Sequence, residues 1–308
     1  MSDNARWVLP RGSAARDGWD LVVGDGTPDW QHTGLQVVSL AEGEERVVPA
    51  GASEHLVVPL SGSVVVESGD DRAPLAGRAS VFAGPTDVAY VASGRALSVT
   101  ATGGPARVAV CAAVAAAPHP SGFRHLPAAE VPVELRGAGS ASREVRNFGI
   151  PGVLEADSLI ACEVVTPAGN WSSYPPHKHD EERPGLETEL EEIYYFEVQV
   201  APDSPGSAAT GGATSGADPV GYQRVHGTDD RPIDVLAEVR SGDVVLVPHG
   251  WHGPSMAAPG YDLYYLNVMA GPGPERAWLI CDDPAHGWVR ETWESQAVDP
   301  RLPLGGNR

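Results

Sequence analysis

Asn170 to Phe196 reads N-W-S-S-Y-P-P-H-K-H-D-E-E-R-P-G-L-E-T-E-L-E-E-I-Y-Y-F, and Gly242 to His252 answers it with G-D-V-V-L-V-P-H-G-W-H. Alternate residues of a β-strand share a face, so His177 and His179, separated by Lys178, can direct both imidazoles at one point. Lys178, the only lysine of the chain, is turned away by the same alternation, towards another segment or a subunit. Glu192 stands at the head of the aromatic strand I-Y-Y-F, 193–196, and His252 follows the strand-like run 243–247 and a Pro248-x-Gly250 turn. His177, His179, Glu192 and His252 form the kind of imidazole and carboxylate set that holds a first-row divalent metal, and an open coordination position would make such a site catalytic. H-x-H alone is a weak signal; the other two donors strengthen it. Glu191 is the rival ligand, because neighbours on a strand face opposite ways and only one of Glu191 and Glu192 can reach the metal.

Outward from this stretch the chain reads as all-β. With 308 residues it exceeds one ordinary domain, and 36 Gly and 28 Pro punctuate Val-rich strings with no long amphipathic helix. Residues 1–35 read as an arm or leading strand. Six strand-like runs follow between Leu35 and Val114, which suggests a β-sandwich or small barrel. Among them E-H-L-V-V-P-L-S-G-S-V-V-V, 54–66, carries only His55, and V-F-A-G-P-T-D, 81–87, offers no histidine to join it, so His55 reads as structural. A Pro-rich connector, 115–130, divides the chain into residues 1–130, a degenerate unit without a metal site, and 131–308, the unit with the metal and active site. Residues 201–219 are low in complexity and read as a flexible loop. The piece 180–191, inserted before Glu192, reads as a flap or short helix with Glu187, Glu189 and Glu191 mostly solvated. Arg136–Phe148 reads as a solvated loop in preference to an anion-binding loop at the pocket mouth.

H-x-H, a Glu at a strand head and G-x5-P-x-G closely followed by His resemble the cupin signature. Twelve residues between His179 and Glu192, and a turn one residue short at Gly250-Trp251-His252, depart from it. The longer strings W-S-S-Y-P-P-H-K-H-D, L-E-E-I-Y-Y-F and G-Y-D-L-Y-Y-L-N-V-M-A-G are similar to the bacterial 5-deoxy-glucuronate isomerases of inositol catabolism, across about residues 136–288. These are relatives of the uronate ketol-isomerases of pectin breakdown. The resemblance implies a bicupin of two cupin-like β-sandwich or barrel domains. It also implies one divalent metal per chain, with zinc preferred and manganese, nickel or iron as alternatives, and a homo-oligomer. The expected reaction is conversion of 5-deoxy-D-glucuronate to 5-dehydro-2-deoxy-D-gluconate. Tyr265 and Asn267 are the candidate catalytic residues, and Arg224 is the candidate for the substrate carboxylate or an ordinary exposed strand arginine. A metal-dependent cupin dioxygenase and a non-catalytic sugar-acid binding protein are the competing readings.

A formal charge of −20 argues against nucleic acid and anionic membranes as partners. A small anionic sugar acid would need a local cluster of cations to offset that field. No run of eighteen apolar residues and no signal-peptide pattern occur, so the expected location is the cytoplasm. Cys111, Cys162 and Cys281 are few, odd in number and widely spaced, and read as buried thiols.

Overall fold

The computed structural model describes residues 2–117, 122–204 and 216–305. Three antiparallel sheets account for nearly all of its regular structure. In the first half, an eight-stranded sheet runs in the order Leu21–Val23, Thr33–Leu40, Leu97–Val114, Ser53–Ser68, Val88–Val91 and Phe123–Leu126, with Glu45–Val48 and Asp71–Arg78 paired at its sides. The Pro-rich connector, 115–130, contains a strand, Phe123–Leu126, whose backbone pairs with Val88–Val91.

The second half is two facing sheets. One has seven strands in the order Val8–Leu9, Val244–Val247, Glu191–Val200, Tyr261–Ala270, Ile160–Thr166, Arg143–Gly149 and Val133–Arg136. The other carries Asp234–Val239, Gly221–His226, Trp251–Ala257, His177–Lys178 and Cys281–Asp282, with Trp171–Ser172 beside Trp251–Ala257. The N-terminal arm crosses the division expected at residue 130. After a short helix, Asn4–Trp7, Val8 and Leu9 pair with Val245 and Val244 of the seven-stranded sheet.

That sheet is the centre of the molecule because both its faces are buried, and its middle strands are nearly continuous apolar runs for that reason. Register decides what each face does. Tyr194, Asn267 and Cys162 sit in one row and Phe196, Tyr265, Val164 and Val145 in the next, all on the face turned to the smaller sheet. The opposite face carries Glu163 and Tyr264 and docks the N-terminal half. There Arg78 meets Glu163 through paired hydrogen bonds of 2.6 and 2.7 Å, Arg146 reaches Glu163 at 2.8 Å and Glu144 at 2.6 Å, and Tyr264 donates to Glu163 at 2.9 Å. Burial would raise the Glu163 pKa, but the two guanidinium groups outweigh it and hold the carboxyl down at about 2. One apolar core joins the halves, with Leu35 and Leu56 from the first and Phe196 and Leu266 from the second fully enclosed. Each such side chain contributes about 1.5–3 kcal/mol. Among the described residues no helix is long and apolar enough to cross a membrane.

Arg136–Phe148 is not a solvated loop. Arg136 ends one strand, a six-residue turn follows, and Arg143 opens the next, which is buried along its whole length. The missed signal was the alternation itself: Arg143, Val145 and Asn147 face one way, and Glu144, Arg146 and Phe148 the other. Of the loop 201–219, residues 205–215 lie outside the described residues.

Candidate metal centre and active site

The two facing sheets bring the donors together. His177 and His252 are direct cross-strand partners on the smaller sheet, and Glu192 faces them from the larger one, between Val247 and Met269. One ligand atom from each of His179, Glu192 and His252 lies within 4.8 Å of the others, and all three side chains are buried. Among the described residues this is the one group of three or more His, Cys, Asp or Glu able to hold a metal ion. His177 stands beside that triad, its ring 4.5 Å from that of His252 and 6.3 Å from that of His179.

The hydrogen bonding suits a cation. The Nδ1 atoms of His177, His179 and His252 face the carbonyls of Pro175, Leu190 and Gly250 at 3.4, 3.2 and 3.1 Å. A ring that donates from Nδ1 keeps the Nε2 lone pair free, which is the tautomer a metal ligand needs. The Nε2 atoms of His179 and His252 each lie 3.1 Å from the same Glu192 oxygen, and that of His252 has no hydrogen-bond partner. Two lone pairs aimed at a carboxylate require a positive charge between them, either a proton or a metal. The electrostatics agree. Burial, with His252 and His179 nearby, drives the His177 pKa well below its usual value. Burial would do the same to His179, but Glu192 reverses it and raises that pKa. Glu192 itself is held down at about 2, because the two imidazoles outweigh its burial.

The surroundings fix these side chains. Lys178 turns away from the centre, as alternation requires, and its ammonium meets Asp180 at 2.6 Å and Glu187 at 2.8 Å. Asp180 also accepts from the Gly250 N–H at 2.8 Å, which locks the turn leading to His252. Gly250 has φ +94°, and a Cβ there would lie 2.8 Å from the His226 carbonyl oxygen, so the turn requires glycine. Glu187 is therefore buried rather than solvated. Glu191 is likewise buried, on the opposite face from Glu192. There it accepts from the N–H groups of Gln31, His32 and Thr33 at 3.2, 2.7 and 2.6 Å and ties down the N-terminal half.

A cavity of about 340 Å³ leads to this centre, lined by Arg136, Arg143, His177, Trp278, Ile280, Asp282 and Arg290. It continues into a narrower floor of about 30 Å³ that adds Val145, Val164, Ser173, Glu192, Tyr194, Tyr265 and Asn267. Tyr265 and Asn267 are thus in the cavity. The Tyr265 hydroxyl lies 3.0 Å from that of Ser173, and burial raises its pKa despite the Ser172 and Ser173 hydroxyls, so the phenol keeps its proton at neutral pH. Asn267 Nδ2 is buried and has no hydrogen-bond partner among the described residues. Arg224 is not brought to the cavity. It alternates outwards on Gly221–His226 and pairs with Asp234 and the Val225 and Val235 carbonyls. Arg136 and Arg143 entered only through the less favoured anion-binding reading of 136–148, and Arg290 and Trp278 were not singled out, because the sequence does not reveal that the hairpin and the C-terminal segment fold over the same opening.

Two cupin-type β units, one with a buried His/Glu/His centre at the foot of an arginine-lined cavity, define the class. The chain belongs to the KduI/IolB family, whose model matches residues 8–289. It is 39% identical over 290 residues to the 5-deoxy-glucuronate isomerase of Geobacillus kaustophilus (strain HTA426), covering 94% of this chain and 96% of that one. It is 36% identical over 286 residues to the protein of the same name from Bacillus subtilis (strain 168), covering 92% and 97%. The crystal structure of an IolB-like protein from Salmonella typhimurium LT2 superposes with a TM-score of 0.79 at 33% identity, over 92% of this chain and 98% of that one. Lactobacillus farciminis oxalate decarboxylase has a TM-score of 0.61 at 11% identity, over 90% and 88% of the two chains, and shares the fold alone.

Proposed function

We propose that this protein is a 5-deoxy-glucuronate isomerase, converting 5-deoxy-D-glucuronate to 5-dehydro-2-deoxy-D-gluconate. The observation that carries this is the His179, Glu192 and His252 centre at the foot of a cavity with three arginines, in a chain that matches relatives of that name over nearly their full length. His177, His179, Glu192 and His252 would hold one divalent ion, zinc in our reading, with manganese, nickel or iron as the alternatives. When bound, such an ion supplies an electrophilic pull on a sugar carbonyl and its neighbouring hydroxyl.

The side chains around it do the rest. The reaction moves a hydrogen from C2 to C1 of the open-chain sugar, which requires donors placed where negative charge develops on oxygen. Tyr265 Oη, protonated and 3.0 Å from Ser173 Oγ, can pass a proton to a sugar oxygen and recover one through that hydroxyl. Asn267 Nδ2, buried and unpartnered, gains a hydrogen bond when a sugar oxygen arrives. Tyr194 and Trp278 complete the walls of the cavity floor. We read residues 1–130 as a cupin-type unit without a metal, serving as the platform on which the catalytic sheet is mounted.

The test is a carbonyl-shift assay by NMR with purified protein under nitrogen. Aldose-to-ketose conversion at the same rate as in air is expected. Replacing Tyr265 by Phe, or Asn267 by Ala, should lower kcat by about 10- to 100-fold, the worth of one hydrogen bond to developing charge. Metal-loaded protein that forms no ketose, or that consumes oxygen with this substrate, would contradict the reading.

A further inference from the structure

Of the three cavity arginines, two are already neutralised. Arg136 makes paired hydrogen bonds of 2.9 and 2.7 Å to Glu134, and Arg290 clasps Asp282 through both its Nε and an Nη. Among the described residues Arg143 pairs with no carboxylate. Its one protein hydrogen bond goes to the Ala141 carbonyl at 3.0 Å, although the residue is only 5% exposed. A buried guanidinium without a counter-ion is costly, and strands seldom place like charges directly opposite one another. Yet Arg143 is the direct cross-strand partner of Arg136.

The hairpin is built to keep this arrangement. Gly137 has φ +77°, and a Cβ there would lie 2.6 Å from an Arg143 Nη. Trp293 lies under both the Arg143 and Arg290 guanidinium groups, at 5.3 and 5.2 Å, and fixes their planes. Burial, reinforced by Arg136 and Arg290, pushes the Arg143 pKa down to about 10, a sign of a cation held where it lacks an anion.

We propose that Arg143 is the specificity-determining residue of the cavity: its free guanidinium takes the terminal carboxylate of the sugar acid, while the other end of the sugar lies against His177 and the metal-binding triad. The cavity continues from Arg143 and His177 at its mouth to Glu192, Tyr265 and Asn267 at its floor, so one extended ligand can touch both ends. Arg136 and Arg290 stay paired and supply field rather than the fork. On a chain of net charge −20 this local cluster also gives an anion a reason to enter. The proposal rests on the sugar-acid reading above, but its test does not require turnover.

Titrate wild type, Arg143→Gln and Arg143→Lys with D-glucuronate and with D-glucose, reading the fluorescence of the cavity tryptophans, and confirm folding by circular dichroism. Wild type should bind glucuronate at least about tenfold more tightly than glucose. Arg143→Gln should lose that preference, and Arg143→Lys, which keeps the charge without the fork, should recover part of it. With 5-deoxy-glucuronate as substrate, Arg143→Gln should raise KM at least about tenfold and change kcat much less. A folded Arg143→Gln that still prefers glucuronate as wild type does would overturn the proposal, whatever its turnover. A wild type that prefers glucuronate through Arg143 but forms no ketose would uphold the carboxylate site and remove the isomerase reading.

Discussion

His55 in the N-terminal unit and His177 in the C-terminal one each sit on a strand of a cupin-type sheet beside a sizeable cavity, and among the described residues only His177 stands beside a cluster able to hold a metal ion. The cavity at His55 is the larger, about 430 Å³ against about 340 Å³, so room is not the difference. Register is. The direct strand partners of His55 are Val91 and Ala112, whereas His177 is opposed by His252, whose Nε2 lies 3.1 Å from a Glu192 oxygen across the sandwich. His55 is buried with its Nδ1 unpartnered, and burial lowers its pKa to about 4, so it stays neutral and gathers no carboxylate. Which residues the ladder places opposite each other decides whether a strand histidine meets other metal-donor side chains.

The comparison can be broken at its joint. Glu163 on the back of the catalytic sheet holds Arg78 of the N-terminal unit and Arg146 of its own. Glu163→Gln leaves two buried guanidinium groups undercompensated and should cost about 3–5 kcal/mol in chemical denaturation. Because the folded pKa of Glu163 lies below its unfolded value of about 4.3, its contribution is complete above that pH and is lost as pH falls towards 2. The wild type should therefore lose stability over that window, and the variant should lack that component. An unchanged denaturation midpoint would show that the two units are not coupled through this network.

Smaller effects sharpen the contrast. His55→Ala removes an unpartnered buried ring and should change stability by about 1 kcal/mol with turnover unaltered. Arg224→Gln breaks a surface pair with Asp234 and should cost about 0.5 kcal/mol or less. Its KM for the sugar acid should match wild type, in contrast to Arg143→Gln. A large rise in KM for Arg224→Gln would transfer the carboxylate site to that strand.

The all-β class and the His179, Glu192 and His252 cluster were legible from spacing: period-two alternation, H-x-H, a Glu at a strand head and a His after a turn. Tyr265 and Asn267 were legible only as one of two strand faces, since both faces of Tyr261–Ala270 are buried and carry polar groups. The arginine cluster was legible only in part: an anion-binding loop at the pocket mouth was the less favoured reading of 136–148, and nothing pointed to Arg290. Arg136 and Arg143 become neighbours through a turn of small residues, and Arg290 arrives from a 3-10 segment, Gly287–Ser295, more than a hundred residues later. Arg224 drew attention by residue type, but period-two alternation turns it outwards.

Metal content is the most direct test of the account. Measure bound divalent metal by elemental analysis on the wild type, on His55→Ala and on the double variant His179→Ala, His252→Ala, each shown to be folded. The account predicts about one ion per chain in the wild type and in His55→Ala, ligated by imidazole nitrogen and carboxylate oxygen, and none retained by the double variant. Full metal in a folded double variant, or metal lost on replacing His55, would contradict it.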